Sequence, residues 1–293
     1  MNMKILNLKL WMSLTIIGLL FGSCSENETI EAETFNSLTE EETLILIESD
    51  DATNEIDNIV DDFLYSEIEI SGKTELASKD EEQNRGRLPD CATKTIIEEG
   101  NFKTVIIDFG EGCEVRNENV LSGKVIITYE KDEDLMSLTV TKTFEEFFFN
   151  DVAVTGEKSI VRTRENENGN PESTATMSIT HTWPDGAFNL KRGIKTREWI
   201  EGSETPIWSD NIFLISGEWT NTLKNGEVYS TKIIEDLRRE LACKFIVSGI
   251  MEISKPNVSG ILNFGDGSCD DKAILTNTDG EEREITLKKR NRK

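Results

Sequence analysis

The clearest pattern in the chain is an alternation of apolar and hydroxyl side chains over residues 174–183. Ala175, Met177, Ile179, His181 and Trp183 share one face of an extended segment, and threonines and Ser178 occupy the other. This period of two is typical of a half-buried β-strand. Four turn sequences separate further β-favouring runs: Asn168-Gly169, Pro184-Asp185-Gly186, Asn225-Gly226 and Asp279-Gly280. We therefore predict a mainly β protein, with an antiparallel domain of repeated hairpins over residues 91–293 that forms a sandwich, a clamp or an open barrel.

A helical period precedes this domain, over residues 39–66. Ser37-Leu38-Thr39-Glu40 resembles a capping box. We predict one or two short amphipathic helices, broken near Ser49–Thr53, with the apolar stripe packed on the β domain; a docking helix for a partner is the alternative. Residues 24–38 are predicted to form an acidic tether and residues 67–90 a polar linker. The apolar positions at helical spacing are Leu44, Ile47, Ile56, Ile59, Val60, Phe63 and Leu64.

A short motif recurs along the β domain: two apolar residues, a hydroxyl residue and a glycine. It ends at Gly123, Gly156, Gly217 and Gly249, and a degenerate copy is expected around Lys191–Gly193, because the middle gap is close to two periods. A unit of about 32 residues fits one hairpin with its return. Each glycine is expected to mark a bulge or a close backbone approach.

A second duplication predicts two local disulfides. The segments 107–113 and 262–269 share an (Asp/Asn)-Phe-Gly sequence followed by a cysteine, and each has another cysteine upstream. Four cysteines allow three pairings. Because each copy carries its own pair, we predict Cys91–Cys113 and Cys243–Cys269, which would form outside the reducing cytoplasm.

The charge balance excludes one class of partner. The net charge is −24, and residues 25–72 contain no lysine or arginine. Such acidity argues against binding to nucleic acid or to an anionic membrane surface. It favours a protein that is soluble outside the cytoplasm.

The start of the chain predicts export and a lipid anchor. Lys4 and Lys9 precede an apolar run from Leu10 to Phe21, followed by Gly22-Ser23-Cys24. This is the form of a signal peptide over residues 1–23, and its apolar run is shorter than the ~20 residues needed to span a bilayer. The segment ending at Cys24 resembles the lipobox of bacterial lipoproteins, in relaxed Bacteroidetes-type form, although Phe21 and Ser23 depart from the common pattern. The resemblance implies that the Cys24 thiol carries the membrane lipid.

The lipobox together with the cysteine-bracketed β region resembles flavobacterial lipoproteins of uncharacterised function. The resemblance covers most of residues 91–287 and implies no activity. The acidic Ser25-Glu26-Asn27-Glu28 segment resembles, loosely, a tag for export to the cell surface. We therefore expect a protein lipid-anchored in the outer membrane at the cell surface, with the periplasmic face as the alternative location.

Several residues are candidates for ligand binding or catalysis. His181 is the only histidine, and we expect it to be a half-buried structural residue rather than a zinc ligand or a base. The oxygen side chains of residues 266–271 are better explained by a turn than by calcium. The basic end, residues 288–293, is expected to be a solvated tail. Four tryptophans are candidate sugar contacts, although core positions are commoner: Trp183, Trp199, Trp208 and Trp219.

No catalytic motif is present. The chain has no Gly-x-Ser-x-Gly elbow, no His-Glu-x-x-His pair and no phosphate-cradling glycine loop. We predict a non-enzymatic structural or ligand-binding module without a cofactor or metal, whose partner is an unknown protein or glycan. The alternatives are a periplasm-facing component of an envelope assembly or transport system and, third, a glycan-acting enzyme.

Overall fold

The structure is a computed structural model of the chain, and it describes residues 38–64, 88–130, 137–205 and 207–287. The predicted signal peptide, Cys24, nearly all of the acidic tether, most of the linker and the basic end lie outside the described residues. No helix in the described part is both long enough and apolar enough to cross a membrane.

The described chain is one helix and one antiparallel sheet of 14 strands, which confirms the predicted fold class. Each strand pairs with its neighbour in the chain, except that the short β3 pairs only with β4 while β2 also pairs with β4. The sheet is open, with β1 and β14 at its two edges. The elements are α1 (Glu40–Leu64), β1 (Thr93–Glu99), β2 (Phe102–Asp108), β3 (Cys113–Val115), a 3-10 turn (Arg116–Glu118), β4 (Asn119–Glu130), β5 (Ser137–Phe149), β6 (Val152–Thr163), β7 (Glu172–Thr182), β8 (Phe188–Glu201), β9 (Ile212–Leu223), β10 (Val228–Glu240), β11 (Ile246–Lys255), β12 (Val258–Asp266), β13 (Lys272–Asn277) and β14 (Glu282–Thr286).

The alternating segment is β7, and its five predicted inward residues are all buried. The four turn sequences lie where they were predicted, between β6 and β7, β7 and β8, β9 and β10, and β13 and β14. Each turn contains a glycine with positive φ, such as 79° at Gly169 and 85° at Gly226. Glycine reaches this conformation without the steric penalty of a Cβ atom.

The glycines of the repeat lie at close backbone approaches, as predicted. At Gly156 and Gly193 the backbone has positive φ, and a Cβ atom would overlap with the backbone of the adjacent strand. The predicted spacing is wrong in one respect. The middle gap runs from Gly156 on β6 to Gly217 on β9. Because Gly193 and Gly217 lie on the adjacent strands β8 and β9, this gap advances by three strands along the sheet, whereas two complete hairpins would advance by four.

Both predicted disulfides form, between Cys91 and Cys113 and between Cys243 and Cys269. The duplicated segments also fold alike. The Asp108 side chain accepts a hydrogen bond from Gly110 N at 2.8 Å, and Asn263 accepts one from Gly265 N at 2.9 Å. This turn explains why an Asp or Asn occupies the first position of each copy.

The capping box of helix α1 lies two residues further along the chain than predicted. The box is formed by Thr39 and Glu42: Thr39 Oγ1 accepts from Glu42 N at 3.2 Å, and Glu42 Oε2 accepts from Thr39 N at 3.0 Å. The acidic first turn also suits the positive end of the helix dipole. Of the two alternatives, one helix or two, the structure has one: no break occurs near Ser49–Thr53, and the helix continues to Leu64.

The predicted packing of the apolar stripe of α1 on the β domain is confirmed, but polar residues of the helix are buried with it. Apolar residues such as Ile56, Val60 and Leu64 join the main core with the inner face of the sheet. Ser49, Asp50, Thr53 and other polar residues of the same helix are buried as well. Burial of so many polar groups requires partners on the strands, and these partners form the cluster described next.

Candidate functional site

The inner face of the sheet carries a row of buried cations. Alternation along β8 places Lys191, Lys195 and Arg197 on the same side as the core, and β5 and β6 contribute further basic residues. Buried lysine and arginine are rare unless they are paired. The cations of this row are Lys142, Lys158, Arg162, Lys191, Lys195 and Arg197.

Helix α1 supplies the matching carboxylates: Asp50, Asp57 and Asp61. Asp57 Oδ1 lies 3.0 Å from Lys142 Nζ, and Asp57 Oδ2 contacts Lys158 Nζ. We call these three carboxylates and the six cations the buried ion cluster.

The two ends of the cluster are bonded differently. Asp61 Oδ1 accepts from Arg162 Nη2 at 2.6 Å, and Asp61 Oδ2 lies 3.4 Å from Arg197 Nη1. At the other end, Asp50 Oδ1 contacts Lys191 Nζ and accepts from Lys195 Nζ at 2.9 Å.

The cluster shifts the titration of its members. Burial alone would raise the pKa of Asp57, but the charges on Lys142 and Lys158 outweigh it and hold that pKa far below its usual range. For Lys158 and Lys195, burial is the larger effect and lowers each pKa from 10.5 to about 8. Asp57 therefore stays ionised, while Lys158 and Lys195 become easier to deprotonate.

His181 lies beside the cluster and is fully buried. Its Nδ1 lies 3.0 Å from Ser49 Oγ and its Nε2 lies 3.4 Å from Thr53 Oγ1. Since the Thr53 hydroxyl already donates to Ser49 O, we assign the donated proton to Nε2. Burial and the nearby lysine charges lower the His181 pKa from 6.5 to about 3, so the imidazole is neutral. The structure therefore gives His181 the structural role that was expected, although more deeply buried.

A cavity of about 430 Å³ adjoins α1 on a face next to the buried ion cluster. Its helical wall contains Glu48, Asp51 and Glu55, which are spaced three and four residues apart and so share a face. The rest of its lining comes from segments far apart in the sequence and combines apolar side chains with polar ones such as Asn150 and Asp151. This volume is within the range of small-molecule sites, about 300–1,000 Å³. The apolar side chains of the lining include Phe149, Val152, Trp183, Phe245 and Leu287.

Two of the charges at the cavity neutralise each other. Arg239 Nη2 donates to Glu55 Oε2 at 3.1 Å, and its Nη1 donates to the carbonyl oxygens of Glu240 and Cys243. Asn117 Nδ2 donates to Glu55 Oε1 at 2.7 Å. Neither Arg239 nor Glu55 therefore needs a ligand to satisfy its charge.

Asp51 is different from its neighbours. It is partly buried in the cavity wall, and no hydrogen bond or ion pair joins it to another described residue. Burial raises the pKa of Asp51 from 3.8 to about 7, against the opposing effect of the Arg239 charge. A carboxylate in this setting is stabilised when it takes up a proton or when a cation binds next to it.

The four candidate tryptophans do not form one site. All are buried, and Trp183 alone lines the large cavity. Trp199 and Trp208 line a second cavity of about 60 Å³, which is too small for a sugar ring. Trp219 lies under the cluster, with Lys191 Nζ 4.2 Å from its ring centre. Sugar binding by these tryptophans stays a prediction, to which the structure adds no shared surface.

No group of three or more metal-ligating side chains occurs in the described ranges. In the segment once compared with a calcium loop, Asp266 Oδ1 accepts from Ser268 N at 3.2 Å and from Ser268 Oγ at 2.8 Å. The turn thus accounts for the polar residues there.

Sequence reasoning missed the buried ion cluster. A signal was present: Lys191, Lys195 and Arg197 occupy inward positions of a strand, where apolar residues are expected, while the helix contains no basic residue. Neither the inward cations of the strand nor the acidic helix shows from the sequence alone that the two pair with each other.

Comparison of the chain with protein-family models, curated proteins and solved structures found no match. The flavobacterial lipoprotein resemblance therefore stays a prediction, and the site must be interpreted from its own chemistry.

Proposed function

We propose that this protein is a lipid-anchored envelope module that binds a small amphipathic cation in the cavity beside α1. The anchor rests on Cys24 and the signal-peptide pattern before it. The two disulfides are compatible with a location outside the cytoplasm. The binding function rests on one observation, a cavity of ligand size whose lining combines apolar side chains with a carboxyl, Asp51, that has no ion-pair partner among the described residues.

The cavity chemistry selects the ligand class. Asp51 favours an ammonium or similar cationic group, and Phe149, Trp183 and Leu287 offer surface to a hydrocarbon or aromatic part. Burying apolar ligand surface contributes roughly 25 cal/mol per Å² before the costs of binding. Lys244 also lines the cavity, but it is exposed, so that solvent screens its charge. A purely anionic ligand would be repelled by the Asp51 carboxylate.

Three probes of one chain length test the ligand class: octylamine, octanol and octanoate. We expect octylamine to raise the melting temperature of the wild type most, and octanoate least. The effect of octylamine should grow as the pH rises through 7. Above that pH Asp51 is already ionised, so the ammonium group does not have to displace a proton from it. In Asp51→Asn the preference for octylamine over octanol should disappear.

Glu157→Gln is the matched control, since it removes one negative charge from an exposed strand position outside the cavity. It should keep the wild-type preference for octylamine. Equal effects of the three probes on the wild type would contradict the proposed ligand class.

The anchor is tested by fractionation and protease treatment of intact cells. We expect the wild type to be membrane-bound and digested, and Cys24→Ala to be released. A membrane-bound but protected wild type would instead favour the periplasm-facing component of an envelope system. Release of both proteins would contradict the lipid anchor.

A further inference from the structure

Three side chains at one end of the buried ion cluster form a reactive arrangement: Asp50 of α1 and Lys191 and Lys195 of β8. All three are at least nine-tenths buried. Lys191 Nζ contacts Asp50 Oδ1, and the carboxyl carbon Cγ is bonded directly to that oxygen. Lys195 Nζ donates to the same oxygen at 2.9 Å.

We propose that Lys191 and Asp50 condense to an intramolecular isopeptide bond that joins helix α1 covalently to strand β8. The neutral amine of Lys191 attacks Cγ of the Asp50 carboxylate, and a C–N bond forms. Oδ1 leaves as water after taking one proton from the attacking nitrogen and one from the Lys195 ammonium, which becomes a neutral amine. The reaction needs no oxidant, reductant or other reactant.

The surroundings assign different roles to the two lysines. Lys195 also donates to Asn54 Oδ1 at 3.0 Å, and this second acceptor holds its ammonium form in place. Lys191 has no such second acceptor among the described residues, and burial together with the charge of Lys195 lowers its pKa well below 10.5. Lys191 is therefore the nucleophile and Lys195 the proton donor.

The site also provides proximity and exclusion of water. Both amines lie over the Trp219 ring, at 4.2 Å and 4.6 Å from its centre. Gly193, between the two lysines, permits this position because a Cβ there would overlap with Trp219. Fixed orientation of two groups corresponds to effective molarities of about 10⁵–10⁸ M. In a water-poor site, hydrolysis of the product amide is also disfavoured.

The neighbouring pair of Asp57 and Lys158 lacks this arrangement. Asp57 uses separate oxygens for Lys142 and Lys158. Each Asp57 oxygen is contacted by one of the two lysines, so neither oxygen has both an attacking amine and a proton donor beside it. A single bond, at Asp50, is therefore expected.

Peptide mapping of the full chain tests the proposal. After denaturation, reduction and digestion, we expect one branched peptide that joins the Asp50 and Lys191 segments and weighs one water less than their sum. Trypsin should no longer cleave after Lys191. Unlinked Asp50 and Lys191 peptides from the folded wild type would overturn the proposal.

Variants identify the reacting groups. Lys191→Arg should abolish the branched peptide, and Lys195→Arg should slow its formation, because arginine releases its proton poorly. Lys158→Arg is the control that changes the neighbouring pair and should retain the bond. Persistence of the water loss in Lys191→Arg would overturn the assignment.

Discussion

Asp51→Asn should stabilise the protein, and more so at high pH. The Asp51 pKa is raised from 3.8 to about 7 in the folded state. Between these values the folded protein keeps a proton that the unfolded chain has lost, so this group makes the wild type less stable as the pH rises. The asparagine side chain is neutral at every pH and removes this loss.

The size of the effect follows from the shift. A shift of about 3 pKa units corresponds to about 4 kcal/mol. Because Asp51 is partly exposed to the cavity, water screens part of its charge, and we expect a gain of about 1–3 kcal/mol above pH 7. Below about pH 4 the two proteins should be equally stable, since Asp51 is then protonated in both states.

Urea unfolding of both proteins from about pH 4 to about pH 9 measures this difference. Other groups titrate in the same way in both proteins, so their contributions cancel. Glu157→Gln is the matched control, because it removes one acidic group at an exposed position outside the cavity. A difference that is constant with pH, or an Asp51→Asn variant that is less stable than the wild type at high pH, would refute the reasoning.

Three further predictions concern the core. Gly193→Ala should cost at least about 3 kcal/mol in urea unfolding, while Gly169→Ala, in an open turn, should cost about 1 kcal/mol; equal costs would contradict the proposed close approach. Asp57→Asn should cost about 3–5 kcal/mol because two buried lysines lose their counter-charge, whereas Lys124→Gln at an exposed pair should change stability by less than about 1 kcal/mol. The single imidazole, His181, should show no NMR titration above pH 4; a midpoint near 6.5 would contradict its burial.

Local patterns predicted the sheet well. The alternation in β7, the glycine turns and the duplicated cysteine segments each depend on residues close together in the sequence. The position of the helix was also predictable, because apolar residues recur at helical spacing. These signals need no knowledge of the distant chain.

The interior of the molecule could not be predicted in the same way. The polar residues around Ser49–Thr53 were interpreted as the place where the helical segment could break in two. They are buried because residues of β7 and β8 provide hydrogen bonds and opposite charge. The large cavity was missed for a related reason: its walls come from segments that the sequence does not place together.

The pairing of α1 with distant strands also constrains the order of folding. Asp57 and Lys158 are 101 residues apart, and Asp50 and Lys195 are 145 apart. Contacts of this separation slow folding, since a long loop must close before they form. As synthesis proceeds from the N-terminus, the helical segment emerges first. Asp57 gains its counter-charges only when β5 and β6 follow, and Asp50 gains its own only when β8 follows. The negative charge of the helical segment keeps it soluble during that interval. Docking of the helix on the sheet is then the step that completes the fold. A chain that ends before residue 188 should fail to complete this docking.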